Sequence, residues 1–131
     1  MGTVALSGET FAETISSNDI VLVDFWAAWC GPCRMFAPVF EAASASHPDV
    51  VFAKVDTEAE QALAASFRIM SIPTLLAFRD EILLYAQPGA LPAAALEDLI
   101  GQIKALDMDE VHRKVAEAAE QPEPDHATSN R

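Results

Sequence analysis

The two cysteines of this chain, Cys30 and Cys33, are separated only by Gly31 and Pro32, a spacing that allows them to act as a pair. They stand where the apolar run Ile20–Trp26, rich in β-branched and aromatic residues and read as a buried strand, gives way to a helix-like segment. Pro32 suits a first helical turn, where its missing N–H would have no partner in any case. Cys30 is therefore expected at the helix N-terminus, with Cys33 one turn further in. Helix-start amides and the helix dipole favour a thiolate over a thiol at Cys30. Residues three apart in a first turn project to one side, close enough for a disulfide. Such a pair can pass between dithiol and disulfide with little movement of the backbone.

Other residues with chemical potential are few. Asp24 places a carboxylate inside the apolar run, which is costly unless the group is neutral, paired or reaching water at a strand edge. His47, His112 and His126 are scattered, so the cysteine pair lacks the two further ligands that structural zinc would need, and no metal is expected. A formal net charge of −12 argues against nucleic acid as a partner. Seven acidic against three basic residues follow from Ala105 onward. The simplest role of that acidity is to keep the protein in solution.

The elements that must hold the pair follow from periodicity. Thr3–Leu6 reads as a short edge strand. A helix capped by Ser7 or Gly8 runs from about Glu9 to Ser16, with Phe11, Ala12 and Ile15 inward. Asn18-Asp19 turns into the buried strand. The second helix runs from about Pro32 to His47 with a stripe of Met35, Phe36, Val39, Phe40 and Ala43, and Pro38 should kink it. Val50–Val55 is the next strand, and Thr57–Ser66 a third helix, Thr57 and Glu60 having capping-box spacing. Thr74–Phe78 and Ile82–Tyr85 form a hairpin about Arg79-Asp80-Glu81. Pro92 opens a helix through Leu96, Leu99, Ile100 and Ile103. This order predicts an α/β fold with a central mixed sheet flanked by helices on both faces.

The length fits one domain with a tail. Residues 1–106 form the domain. Asp107 and Glu110 are expected to open an additional helix over 107–120 with Met108, Val111, Val115 and Ala118 along one side, and 121–131 is expected to be a polar, disordered tail. No apolar run is long enough to span a bilayer. The first residues lack a basic n-region and a long apolar stretch, and Leu6 stands where a myristoylation motif needs Ser or Thr. A cytoplasmic protein is expected, in which two cysteines at this spacing are catalytic or metal-binding rather than a structural staple.

Asp24-Phe25-Trp26-Ala27-Ala28-Trp29-Cys30-Gly31-Pro32-Cys33 resembles the active-site stretch of the thioredoxin family. Ile72-Pro73-Thr74 resembles that family's cis-proline loop, and Gly89 stands where the family has a turn glycine. The resemblance runs without evident gaps from about Thr3 to Leu106. It implies the thioredoxin fold and a protein-disulfide reductase. By resemblance, Cys30 attacks a target disulfide, Cys33 resolves the mixed disulfide, Asp24 accepts the Cys33 proton, and Lys54 partners that carboxylate. Pro73, preceded by a cis bond, would present the target. Trp29, Gly31, Pro32, Ile72, Gly89 and Ala90 would surround Cys30 as an apolar docking face. No bound cofactor is implied: a Cys30–Cys33 disulfide would cycle, with electrons from NADPH through a separate thioredoxin reductase. The other partners are disulfide-containing target proteins, with neither nucleic acid nor membrane, and the chain is expected to be a monomer.

Departures from the family pattern fall at Ser71 and Glu81, where many members have glycine, and at Pro88, where a β-branched residue is common. Ser71 and Pro88 flank the docking face and bear on partner choice; Glu81 bears on the hairpin turn. Competing readings are an oxidase or isomerase of the same fold, and a redox-independent module that clamps a partner with the same face. The Gly-Pro between the cysteines resembles the reductase type.

Overall fold

The apolar run becomes the middle strand of a five-stranded sheet in the computed structural model, which describes residues 2–120. The strands are β1 (Val4–Ala5), β2 (Ile20–Trp26), β3 (Val51–Asp56), β4 (Thr74–Arg79) and β5 (Ile82–Pro88), in the order β1-β3-β2-β4-β5. β3 runs parallel to both β1 and β2, β4 is antiparallel to β2, and β5 is antiparallel to β4. The helices are α1 (Phe11–Ser17), α2 (Gly31–Ser46), α3 (Gln61–Ser66), α4 (Ala93–Ala105) and α5 (Met108–Glu120). β2 is hydrogen-bonded on both sides and six of its seven residues are buried, so alternation along it sorts the interior into two layers.

Val21, Val23 and Phe25 face one way, into a cluster with Leu6, Phe11 and Ile15 from the α1 side and Ala64 of α3. Phe67, just past α3, contributes ring contacts to Phe11, Phe25 and Phe78. Leu22 and Asp24 face the other way, beside Phe52 and Lys54 of β3 in register. α2 lies over this second face, since Phe40 packs on Phe52 at 5.1 Å between ring centroids. α4 joins the same side through Glu97, whose carboxylate meets His47 Nε2 at 2.7 Å, and through the buried Leu96 and Ile100. Helices on both faces of a mixed sheet are what the element order predicted.

Several local expectations change. Met35 is 75% exposed. On a helix turning about 100° per residue, Phe36, Phe40 and Ala43 define the buried direction, and Met35 lies 100° off it. α2 keeps the span expected of it, with Pro38 inside the helix. No capping box forms at Thr57: its hydroxyl donates to the Trp26 carbonyl at 3.1 Å, while Asp56 Oδ1 accepts from the amides of Glu58 and Ala59. α3 accordingly begins later, at Gln61, and Glu60 accepts from the Gly8 amide instead. α1 also begins later, at Phe11, because Ser7 closes a separate turn by accepting the amides of Thr10 and Phe11. The hairpin turn is two residues, Asp80 and Glu81, with φ of 53° and 66°. These are the left-handed values of the turn that matches strand twist, here without a glycine.

The chain divides into two compact units after Ile100. In the second, Asp107 Oδ1 accepts from the amides of Asp109 and Glu110, which starts α5 as its spacing suggested. Arg113 then pairs with Glu110 and with Glu117 at 3.3 Å, at i,i+3 and i,i+4 spacing. The tail expected over 121–131 lies outside the described residues. No helix among the described residues is long and apolar enough to cross a membrane.

Candidate active site

Cys30 and Cys33 are joined by a disulfide at the start of α2, with Cα atoms 5.2 Å apart. The strand-to-helix junction makes this possible. Cys30 is the N-cap residue with extended backbone (φ −89°, ψ 116°), and Pro32 occupies the first turn, where it forfeits no hydrogen bond. The Cys33 N–H donates to Cys30 Sγ at 3.2 Å, so the sulfur fills the place a serine or aspartate oxygen takes at other helix starts. A sulfur held by a helix amide at the positive end of α2 is a site where negative charge is favoured.

Both cysteines are buried, and with Ala27 they form a small cluster against which Trp26 and Ile72 pack. Cys30 Sγ lies 3.6 Å from the Ile72 carbonyl oxygen. The Ile72–Pro73 bond is cis, as the resemblance implied. Pro73 is buried and its carbonyl accepts from the Gly89 amide at 2.8 Å, which binds the loop before β4 to the end of β5. Gly89 has φ of 110°, a conformation that favours glycine. Thr74 steadies the same loop by donating its hydroxyl to Ser71 O.

Around this core the surface is apolar and open. Trp29 is 67% exposed and its indole N–H donates to Glu58 at 3.0 Å. Gly31 is half-buried and Pro32 exposed. Arg34 reaches back to the Ala28 carbonyl at 2.7 Å and stiffens the loop from behind. The structure thus gathers Cys30, Cys33 and Ile72, and links Pro73 to Gly89. Ala90 is exposed next to Gly89.

Asp24 is fully buried, and neither of its carboxylate oxygens has a hydrogen-bond partner among the described residues. Burial pushes its pKa up from 3.8 to about 7, against a smaller opposing pull from the charge on Lys54. Lys54 is its register partner on β3, and its Nζ sits 5.0 Å from the centre of the Trp26 ring. Asp24 shares its sheet face with Leu22 and Phe52, the face α2 covers. Cys33, Phe36 and Phe40 form the buried side of α2, so carboxyl and second cysteine belong to one interface. A buried carboxyl titrating near neutrality can take up or release a proton at physiological pH.

Glu58 was not anticipated. It lies 29 residues from Trp29, and nothing local to either residue marks the contact. Among the described residues, no three of His, Cys, Asp and Glu converge as metal ligands would.

Comparison with known proteins agrees with this geometry. The family model described as "Thioredoxin" matches residues 2–102. A protein named "Putative thioredoxin 2" from Streptomyces coelicolor is 57% identical over 115 residues, 88% of this chain and 86% of that one. The solved structure of a mutant thioredoxin from Halobacterium salinarum is 38% identical, with a TM-score of 0.73 over 80% of this chain and 93% of that one. A "Bifunctional thioredoxin reductase/thioredoxin" from Mycobacterium leprae is 45% identical over 87 residues, which are 66% of this chain but 19% of that one.

Proposed function

The chain belongs to the thioredoxin family, a thiol–disulfide oxidoreductase with a redox-active Cys30–Cys33 disulfide, and on that premise we propose how its residues divide the work. In the reduced protein the Cys30 thiolate attacks one sulfur of a target disulfide. A Cys30–target disulfide forms and the other target sulfur leaves as a thiolate, which takes a proton. Cys33 then gives its proton to Asp24 and attacks Cys30 Sγ. The Cys30–Cys33 disulfide forms and the target leaves with two electrons gained. Lys54 holds the Asp24 pKa within a useful range by opposing its burial. Supporting this division are the helix amide on Cys30 Sγ and the unpartnered Asp24 on the interface that also buries Cys33.

Trp29, Gly31, Pro32, Ile72, Pro73, Gly89 and Ala90 form the docking face. The Ile72 carbonyl beside Cys30 is placed to accept a backbone N–H from an extended target segment. The oxidised protein is returned to the dithiol by an NADPH-dependent thioredoxin reductase, a reading supported by the relative whose name joins both activities in one chain. We place the protein in the cytoplasm as a monomer. We read residues 1–106 as the thioredoxin domain and 107–120 as an added helix outside its chemistry.

The observation that carries this reading is the Cys30–Cys33 disulfide capping α2 beside the Ile72 carbonyl. Its test is reduction of a disulfide-bonded protein with NADPH and a thioredoxin reductase. Cys30→Ser should abolish turnover, and Cys33→Ser should accumulate a covalent complex with the target. Absence of turnover with both a reductase and a chemical dithiol would overturn the reading, and so would a partner-binding activity that survives replacement of both cysteines.

A further inference from the structure

Beyond the docking face, an open groove of about 320 Å³ lies between the segment that follows α3 and the outer strand β5. Leu76 and Phe67 line it from the interior, and Leu83, Ala86 and Pro88 line it from β5. These three are the β5 residues that register places opposite Phe78, Leu76 and Thr74, so they share one sheet face. Met70, 92% exposed, lines the side formed by the segment after α3. A mostly apolar groove left open on a water-soluble surface is a candidate for occupation.

Two observations identify the occupant. The first is continuity. Ser71, Thr74 and Pro88 belong both to the groove wall and to the loop and strand end that hold Pro73 and Gly89. A target segment crossing Ile72 and Pro73 therefore meets the groove at its Thr74–Pro88 end. From there to the Phe78–Leu83 pair is four strand residues, roughly 13 Å, a length about four residues of extended chain would cover.

The second is charge. Arg68 lines the groove and is exposed. It closes α3 in a left-handed conformation (φ 55°), its own amide bonding Ala65 O and the next amide bonding Ala64 O. Its side chain makes no hydrogen bond, ion pair or ring contact, alone among the lysines and arginines of the described residues. On a chain of net charge −12, one uncommitted cation at the edge of an apolar groove is a selective feature rather than a general attractor of acidic proteins.

We propose that this groove is a specificity subsite for the target protein, taking an aliphatic side chain near the target's reactive cysteine while Arg68 receives a carboxylate from the same extended segment. The proposal rests on the docking reading of Ile72 and Pro73. It makes Pro88 and Ser71, the departures from the family pattern beside the docking face, part of the wall that defines which targets fit.

The test uses the full chain and synthetic peptides, each with one cysteine in a disulfide with a chromophoric thiol. In these peptides one leucine and one glutamate, or a lysine in its place, are walked over the six positions on either side of the cysteine. Rates for each variant are divided by its rate with a small aryl disulfide. Wild-type protein should prefer glutamate to lysine at one position by about threefold at low salt, in line with an exposed pair. Arg68→Glu should invert that ratio, and Arg68→Asn, which tolerates the left-handed backbone, should erase it. Ala86→Trp, which fills the groove, should remove the preference for leucine over serine. A glutamate-to-lysine ratio near one at every position, or one that the Arg68 variants leave alone, overturns the proposal, as does a leucine preference that Ala86→Trp does not touch. Ile72→Ser tests the docking reading separately and should slow all peptides alike. If it slows none, the docking reading itself has failed.

Discussion

Asp19 and Asp24 stand five residues apart, one just before β2 and the other within it, and both have a pKa raised above that of an ordinary aspartate. The causes differ. Asp19 is exposed, and it is raised chiefly by a hydrogen bond with the Asp80 carboxyl, with smaller contributions from burial and from the charge of Asp80; Arg79 acts against these. Asp24 is raised by burial alone, and Lys54 acts against it. A proton shared between surface carboxyls depends on the neighbour and is lost with it. A proton held by burial is maintained by the whole fold, which must bear the cost of ionisation. Only the second kind can be aimed at a reacting group shielded from water.

The largest test of this contrast is stability against pH. Folded Asp24 keeps its proton up to about pH 7, whereas the unfolded chain releases it near 3.8. Between those values the folded state binds the extra proton, so stability falls as pH rises, by roughly 4 kcal/mol in all. Asp24→Asn should therefore be more stable than the parent by that order at pH 8, and the two should converge below pH 4 in chemical denaturation. A difference that does not change with pH would remove burial as the cause. Next in size is the kinetic contrast. Asp24→Asn should slow resolution of the mixed disulfide about tenfold or more at pH 7, read by rapid quenching, whereas Asp19→Asn should leave that step unchanged. Equal effects from both would erase the distinction between the two carboxyls.

Two smaller tests act at the hairpin that carries Asp80. Glu81→Gly relieves a left-handed residue and should stabilise the protein by about 1 kcal/mol in thermal or chemical melts. Asp80→Asn should return the Asp19 titration towards an ordinary carboxylate in NMR while leaving that of Asp24 in place. Movement of both would show that the two groups are linked along β2.

What the sequence made legible follows the same division between local pattern and tertiary placement. Ile20–Trp26 is legible to the residue because a strand buried on both faces is an apolar run between turn residues, interrupted here only by Asp24. The cysteine pair and Pro32 lie within one turn, so their geometry is local. Thr57 shows how a local signal fails: its hydroxyl had a better partner in the Trp26 carbonyl of the neighbouring strand, and α3 started later. Met35 shows the limit of periodicity, which gives a helix a buried side but not its width. The Trp29–Glu58 contact and the groove beside Arg68 had no local signature. Both arise where segments distant in sequence are brought side by side by strand order.

The hydrogen bond from the Cys33 amide to Cys30 Sγ couples the backbone to the electron count of the site. A thiolate is a stronger acceptor than a disulfide sulfur, so the first turn of α2 is held more tightly when the pair is reduced. The Cys33 amide should then exchange its hydrogen with solvent more slowly in the dithiol form than in the disulfide form. The start of this helix is in that sense a readout of oxidation state, available from a single backbone proton and independent of any target.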